Sequence, residues 1–191
     1  MWITKFTRQI EQLAVSSRLI YSAVSLYYRQ MVQREAELAG IGPQDRVLCI
    51  GGGICPYTAV LLHQYTGAQI TVVDNDRTCV EECCRFLRRL GMKQIGVHCA
   101  DGQDVDCRDY TVIHLALQIC PREEVLRSVL TRAPEGARVL VRVPKGCVAG
   151  LYCPQSGRQV QGDLKVQHGV LSNVAYTSIF VVPGAPGQVA V

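Results

Sequence analysis

The chain has 191 residues, a formal charge of +4 from 20 Lys+Arg against 16 Asp+Glu, and 48% hydrophobic residues. A chain of this length buries one good core, so one domain with a small accessory element is the natural count, and no internal repeat or low-complexity tract argues otherwise. The charge is too mild for a nucleic-acid footprint: its densest basic run, Arg85, Arg88, Arg89 and Lys93, falls late in a predicted helix, where it complements the dipole and solvates a face.

Arg8, Glu11 and Arg18 interrupt the start of the chain, so no apolar core exists there for a signal peptide or a membrane span, and a cytoplasmic protein is expected. The 10 cysteines then read as reduced thiols, with Cys49 and Cys99 inside strand-like runs. Cys79, Cys83 and Cys84 sit at helical spacing but lack a second pair or a His cluster nearby, which favours packing over ligation, and no metal site is expected.

In chain order, apolar residues recur at helical spacing first at Ile3, Phe6, Ile10 and Leu13, then at Ile20, Val24, Tyr27, Tyr28, Met31 and Leu38, predicting two helices or one bent near Ser16 and Ser17. Gly40, Gly42 and Pro43 end that region. Strands are predicted at Arg46–Ile50, Gln69–Val73, Ile95–Cys99, Thr111–Leu115 and Ala137–Val143, with helices at Tyr57–Tyr65, Arg77–Leu90 and Arg122–Thr131 between them. This alternation is the βαβ pattern of a parallel sheet. A further pair at Leu164–Gln167 and Ala175–Val182 reads as an antiparallel edge, and the tail from Gly184 has too few apolar residues to pack. The expected division is 1–42 as an amino-terminal helical cap, 43–183 as a Rossmann-like α/β domain and 184–191 as a tail.

The most informative segment is Arg46-Val-Leu-Cys-Ile-Gly-Gly-Gly-Ile-Cys-Pro-Tyr-Thr58 followed by Thr71-Val-Val-Asp-Asn-Asp76: a strand running into a glycine turn, then a strand ending in acid. Gly51, Gly52 and Gly53 can take positive φ and admit a ligand close to backbone, while Asp74 can accept from two ribose hydroxyls. Pro56 stands where a dinucleotide fingerprint has its third glycine and has no N–H for a pyrophosphate, so NAD is disfavoured and the nucleoside of S-adenosylmethionine fits better. Asp76 is the better placed helix cap of the two acids. Asp101 and Gly102 repeat a small-acid-glycine pattern that suits an adenine edge or a plain loop turn. His114, Leu115, Ala116 and Leu117 leave the fourth strand at the ligand-binding edge of such sheets, although a lone His in an apolar strand is more often packed than catalytic.

Glu35 lies about 20° from Val24 on the helical wheel, between Met31 and Leu38, in the middle of the apolar stripe, while Glu37 points outward. Desolvation there would raise its pKa, which suits a general base taking a proton from an amine. The alternative is a slight rotation that lets Glu35 snorkel towards Arg34 or Arg46.

Ile50-Gly-Gly-Gly-Ile-Cys-Pro-Tyr-Thr58 resembles the Gly-Gly/Ser-Gly-Pro-Leu-Pro-Leu-Thr turn of nicotianamine synthases and the related bacterial opine-metallophore synthases, a branch of the class I methyltransferase fold. Arg34-Glu-Ala-Glu-Leu38 is similar to the helix carrying that family's catalytic glutamate, with the match on Glu35; Val139-Leu-Val-Arg-Val-Pro-Lys-Gly146, Gly150-Leu-Tyr-Cys-Pro154 and Thr177-Ser178 agree as well. Ile54, Cys55 and Tyr57 depart from the turn pattern, and the amino-terminal region is shorter. The resemblance implies a mostly parallel sheet with an antiparallel edge behind one or two helices, and S-adenosylmethionine as co-substrate. It further implies attack of a small amine or amino acid on the γ-carbon of the aminobutyryl chain, with methylthioadenosine leaving and metallophore biosynthesis as the setting. Glu35 would be the base, with Gly51, Gly52, Gly53, Asp74, Asp76, Asp101, Gly102 and Ala116 holding the nucleoside and Tyr28, Arg142 and Tyr152 the acceptor; for Tyr152 a core phenol, and for Arg142 a strand-end salt bridge, are the plainer roles. No nucleic acid or membrane partner is expected, and a homodimer stays open. An ordinary small-molecule methyltransferase and a non-catalytic adenosine-ligand-binding protein remain the alternatives.

Overall fold

The computed structural model describes residues 18–153, 162–170 and 172–184. The expected helical stretch from Ile3 to Leu13, the bend near Ser16 and the tail beyond Gly184 lie outside the described residues. Helix α1 (Arg18–Ala39) is followed by β1 (Arg46–Ile50), α2 (Tyr57–Thr66), β2 (Gln69–Asp74), α3 (Arg77–Arg89), β3 (Gly96–Cys99), β4 (Val112–Leu115), α4 (Arg122–Arg132), β5 (Arg138–Pro144), the single turn α5 (Gly146–Ala149), β6 (Leu164–Gln167) and β7 (Val174–Val181).

The seven strands form one sheet in the order β3-β2-β1-β4-β5-β7-β6. β3 to β5 run parallel, and β7 pairs antiparallel with both β5 and β6. The expected Rossmann-like fold with an antiparallel edge is therefore what the chain adopts. Val47, Leu48, Cys49 and Ile50 are all buried because β1 is covered on both faces, which is why the strand reads as an unbroken apolar run. One face packs under α1, α2 and α3 through Val32, Leu62, Cys83 and Leu87 against Val47, Cys49, Val72 and Leu140. The other packs under α4 through Val125, Leu126 and Val129 against Leu48, Ile113 and Val139.

From β1 the chain builds outward to β2 and β3, then returns to place β4 on the other side of β1. That reversal opens a crevice beyond the carboxyl ends of β1 and β4, the position where open α/β sheets bind ligands. The flanks fit their local chemistry. Gly67 takes φ 69 as the α2 C-cap, Asp76 accepts from the Thr78 and Cys79 amides as the α3 N-cap, and Arg88 and Arg89 complete the last turn of α3. Arg138 Nη1 donates to Ala39 O at 2.6 Å and Gly40 O at 2.9 Å, capping α1 from β5 and fixing the helix against the sheet.

Two expectations change. Cys120 and Cys153 form a disulfide, so not every cysteine is a free thiol; their Cα atoms lie 5.4 Å apart although 33 residues separate them, a closeness set by the fold and invisible in spacing. Asp74 is the last residue of β2 instead of lying just beyond it. Cys79 and Cys83 are buried in the core, and among the described residues no His, Cys, Asp or Glu group is arranged to hold a metal ion.

Candidate functional site: two adjoining cavities at the switch point

The glycine turn curls over the end of β1. Gly51 and Gly53 take φ of 81° and 60°, as expected, but Gly52 does not; its glycine is required because a Cβ there would lie 2.1 Å from Val72 Cγ1. Gly51 and Gly52 donate to Val73 O at 2.8 and 3.2 Å, and Gly53 N donates to Asp74 Oδ2 at 2.8 Å. Asp74 Oδ1 accepts from Asp76 N at 3.0 Å, so this carboxylate ties the turn to the end of β2 while keeping a lone pair on each oxygen for a ligand.

An outer cavity of about 330 Å³ lies in front of the turn, lined among others by Gly51, Gly53, Asp74, Asp101, Gly102 and Ile119. This size falls in the ordinary range of small-molecule sites, roughly 300–1,000 Å³. Asp76 lines it too, but its carboxylate is engaged in capping α3. Asp101 Oδ1 accepts from Gln103 N at 2.8 Å, shaping the loop turn that was the plainer reading, and Gly102 leaves room for Ile50, whose Cγ2 would lie 2.7 Å from a Cβ.

An inner cavity of about 130 Å³ shares Ile50, Gly51 and Gln118 with the outer one, so the two adjoin across these residues. Tyr28 from α1, Thr58 from α2, His114 from β4 and Ala116 just after it, Arg142 from β5 and Tyr152 line it. Tyr28 and Tyr57 stack with centroids 5.7 Å apart, and the Arg142 guanidinium lies 5.7 Å over the Tyr28 ring. Asn173 holds Tyr152 by donating from Nδ2 to its hydroxyl at 2.6 Å, and the Tyr27 hydroxyl donates to Asn173 Oδ1 at 2.8 Å.

Behind this cavity Glu35 is fully buried. It snorkels to neither Arg34 nor Arg46: Oε1 accepts from Arg142 Nε at 2.9 Å and Thr177 Oγ1 at 2.6 Å, and Oε2 accepts from Arg142 Nη2 at 2.8 Å. Arg142 Nη1 donates onward to Thr58 Oγ1 at 3.0 Å. Two histidines flank the carboxylate, His114 Nε2 at 3.6 Å from Oε2 and His168 Nε2 at 3.7 Å from Oε1, and His168 Nε2 also meets Thr177 Oγ1 at 2.8 Å.

The electrostatics reverse one expectation. Burial pushes the Glu35 pKa up, as its place on the stripe implied, but the charge and hydrogen bonds of Arg142 and the contact with His114 outweigh it and hold the carboxyl well below the usual range. Glu35 is ionised and paired, which makes it a weak proton acceptor. Burial, helped by the Arg142 charge, lowers the His114 pKa against the pull of Glu35, so this imidazole is neutral near pH 7. Burial likewise raises the Cys49 thiol, to about 12.

The structure thus places Gly51, Gly53, Asp74, Asp76, Asp101 and Gly102 around the outer cavity, and Gly52, Tyr28, Ala116, Arg142 and Tyr152 around the inner one. Arg142 carries the salt bridge offered as its plainer role and still faces the cavity. Thr58 closes the glycine-turn segment but was given no role, and His168 and Asn173 were missed, having no local motif; only an ionisable residue on a buried stripe hinted that such partners must exist.

The reversal of strand order and the turn-bounded cavity define the architecture of class I methyltransferases. The chain belongs to the protein-L-isoaspartate(D-aspartate) O-methyltransferase (PCMT) family, whose family model matches residues 10–179. It is 22% identical over 127 residues to L-histidine 2-aminobutanoyltransferase of Yersinia pestis, an alignment covering 66% of this chain and 48% of that protein, so the chain spans about half the length of this curated relative. A variant of MtNAS in complex with S-adenosylmethionine superposes with a TM-score of 0.73 at 23% identity, over 94% of this chain and 73% of that one. An RNA methyltransferase from Salinibacter ruber in complex with S-adenosyl-L-homocysteine gives 0.66 at 16% identity, over 84% and 95%. At these identities the structural likenesses show the fold.

Proposed function

We propose that the protein transfers the aminobutyryl (3-amino-3-carboxypropyl) group of S-adenosylmethionine to a small amine or amino acid. The observation that carries this reading is the inner cavity adjoining the nucleoside-sized cleft, with Arg142 and the stacked Tyr28 and Tyr57 in its wall. The name of the Yersinia relative and the S-adenosylmethionine held by the MtNAS variant support it.

With adenosine in the outer cavity, Asp74 accepts from the ribose hydroxyls and the glycine turn approaches the sulfur side of the sugar. Asp76, Asp101 and Gly102 complete the nucleoside wall, and Ala116 stands on the inner side of Gly51. The aminobutyryl chain then points into the inner cavity. All three carbons on the sulfonium are electrophilic, and the reaction is chosen by which one lies in line with the nucleophile at near-attack distance. Arg142 offers its outward N–H groups to a carboxylate, and Tyr28 and Tyr152 border the acceptor. Glu35, held ionised, keeps Arg142 in place from behind the cavity. The product carries amines and carboxylates in chelating arrangement, the chemistry of a metallophore precursor, and a cytoplasmic setting suits its substrates.

Membership of a methyltransferase family favours methyl transfer as the second reading. Incubation with S-adenosylmethionine and a panel of amino acids separates them: methylthioadenosine marks aminobutyryl transfer, and S-adenosylhomocysteine marks methyl transfer.

A further inference from the structure

We propose that Cys120 and Cys153 form a reversible thiol–disulfide site that fastens the acceptor wall, with a small thiol or a dithiol protein as the reductant that opens it; the kinetic consequence rests on the aminobutyryl-transfer reading. Position carries the assignment. Cys120 ends the segment 117–120 after β4, in which Leu117 lines the inner cavity, Ile119 and Cys120 line the outer one, and Gln118 lines both. Cys153 directly follows Tyr152, which lines the inner cavity. Across 33 residues of sequence, the bridge joins a segment common to both cavities to the segment carrying an acceptor-facing side chain.

The remaining cysteines show that the chain is not built as an oxidised scaffold. Core packing accounts for Cys49, Cys55, Cys79, Cys83 and Cys107, but Cys99 and Cys147 are exposed and keep their thiols. A single bridge in a chain that leaves exposed thiols unbridged has the pattern of a transient, regulatory disulfide. Cys120 is exposed and Cys153 half-buried, so a reductant reaches the bridge from solvent, and exposed bridges are the labile ones.

The two joined segments are held differently. On the β4 side Ala116 N donates to Ile50 O at 3.0 Å, Ile119 N to Ala116 O at 3.3 Å and Arg122 Nη2 to Leu117 O at 2.7 Å, so that side keeps its place without the bridge. On the other side Leu151 N and Tyr152 N bond only within their own turn, to Val148 O and Ala149 O, and Leu151 is 55% exposed. Tyr152 adds packing against Met31, Leu117 and Val174 and the Asn173 bond to its hydroxyl at 2.6 Å. Segments with few buried contacts open locally at low cost, so reduction loosens the acceptor wall and leaves the nucleoside cleft in place.

The exchange is a two-electron step. A thiolate of the reductant attacks one sulfur of the bridge, the S–S bond breaks, a mixed disulfide forms and the other cysteine leaves as thiolate. A second thiol of the reductant resolves the mixed disulfide. Two electrons have then passed to the protein, two protons complete the two cysteine thiols, and the reductant departs as its own disulfide. Glutathione disulfide runs the same sequence in reverse.

The test compares wild type equilibrated with glutathione disulfide and with dithiothreitol, alongside Cys120→Ser and Cys153→Ser, with Cys147→Ser at an exposed thiol as control. Alkylation and peptide mass mapping read the bridge, calorimetry reads the Kd of methylthioadenosine, and methylthioadenosine formation reads the acceptor KM. Expected are a peptide joining Cys120 to Cys153 in the oxidised protein and both cysteines alkylated in the reduced one. The reduced protein should show an acceptor KM about 10-fold higher, as for a wall closed about a tenth of the time, with the methylthioadenosine Kd changed by less than about twofold. Both bridge variants should match reduced wild type in either buffer, and Cys147→Ser should keep the full response. Absence of the joined peptide, or one acceptor KM in both states, overturns the proposal and leaves aminobutyryl transfer standing. If a bridge variant fails to fold, the two states of wild type decide. If S-adenosylhomocysteine is the only product, the aminobutyryl reading and the kinetic consequence fail together, and the peptide map alone decides the bridge.

Discussion

Glu35→Gln tests the buried ion pair that organises the inner cavity. Glutamine is close in size and keeps one oxygen for Arg142 or Thr177, but it leaves the guanidinium, 4% exposed, without a counter-charge. Breaking a buried pair by removing one partner costs about 3–5 kcal/mol, since the remaining charge is stranded. At ~2–4 °C per kcal/mol for a chain of this size, the melting temperature should fall by roughly 6–20 °C. Glu37→Gln, at an exposed site where the carboxylate accepts from Gln33 Nε2 at 2.9 Å, should change stability by roughly 0.5 kcal/mol or less. The combined change Glu35→Leu with Arg142→Met removes both charges and should recover much of the loss, giving a clear coupling in a double-mutant cycle by urea denaturation. A single Glu35→Gln change costing under about 1 kcal/mol, or a double change costing the sum of its parts, would refute the pairing and the ionised state deduced from it.

Other expectations follow from the same geometry. Stability should fall as pH drops, in two windows: His114 and His168 have lowered folded-state pKa values, so their neutral forms are lost from about pH 6.5 downward, and Glu35, also lowered, loses its contribution below about pH 4.5. His114→Gln should flatten the first window in pH-dependent thermal melts and Glu35→Gln the second; unchanged slopes would contradict the shifts. S-adenosylmethionine or methylthioadenosine should stabilise by about 2.7 kcal/mol at a hundredfold excess over Kd while NAD does not, and Asp74→Ala should abolish most of that shift; a full shift in the variant would misplace the ribose. Gly52→Ala, whose Cβ would lie 2.1 Å from Val72 Cγ1, should cost about 1–3 kcal/mol through overpacking, read by denaturant titration. Tyr152→Phe removes the bond from Asn173 and should raise the acceptor KM more than it lowers kcat.

The sheet and its ligand edge were legible because they are local: an apolar run, a glycine turn and an acid announce themselves within thirty residues. Glu35 was legible as buried for the same reason, through helical period. Its charge state was not, because the deciding partner, Arg142, is 107 residues away and meets it only when β5 and α1 are brought together. His168 and Asn173 stand beside β6 and β7, and nothing in their neighbourhood in sequence marks them. The Cys120–Cys153 bridge likewise depends on the loops after β4 and β5 meeting at the edge of the sheet. His114, which pattern alone assigns to packing, stands 3.6 Å from the Glu35 carboxylate, a neighbour that only the fold supplies.

The most direct measurement is product analysis after incubating the pure protein with S-adenosylmethionine and single amino acids, histidine among them. Methylthioadenosine formed in equal amount with an N-aminobutyryl product is the predicted result. S-adenosylhomocysteine with a methylated acceptor, or tight nucleoside binding with no turnover for any amine, would contradict aminobutyryl transfer.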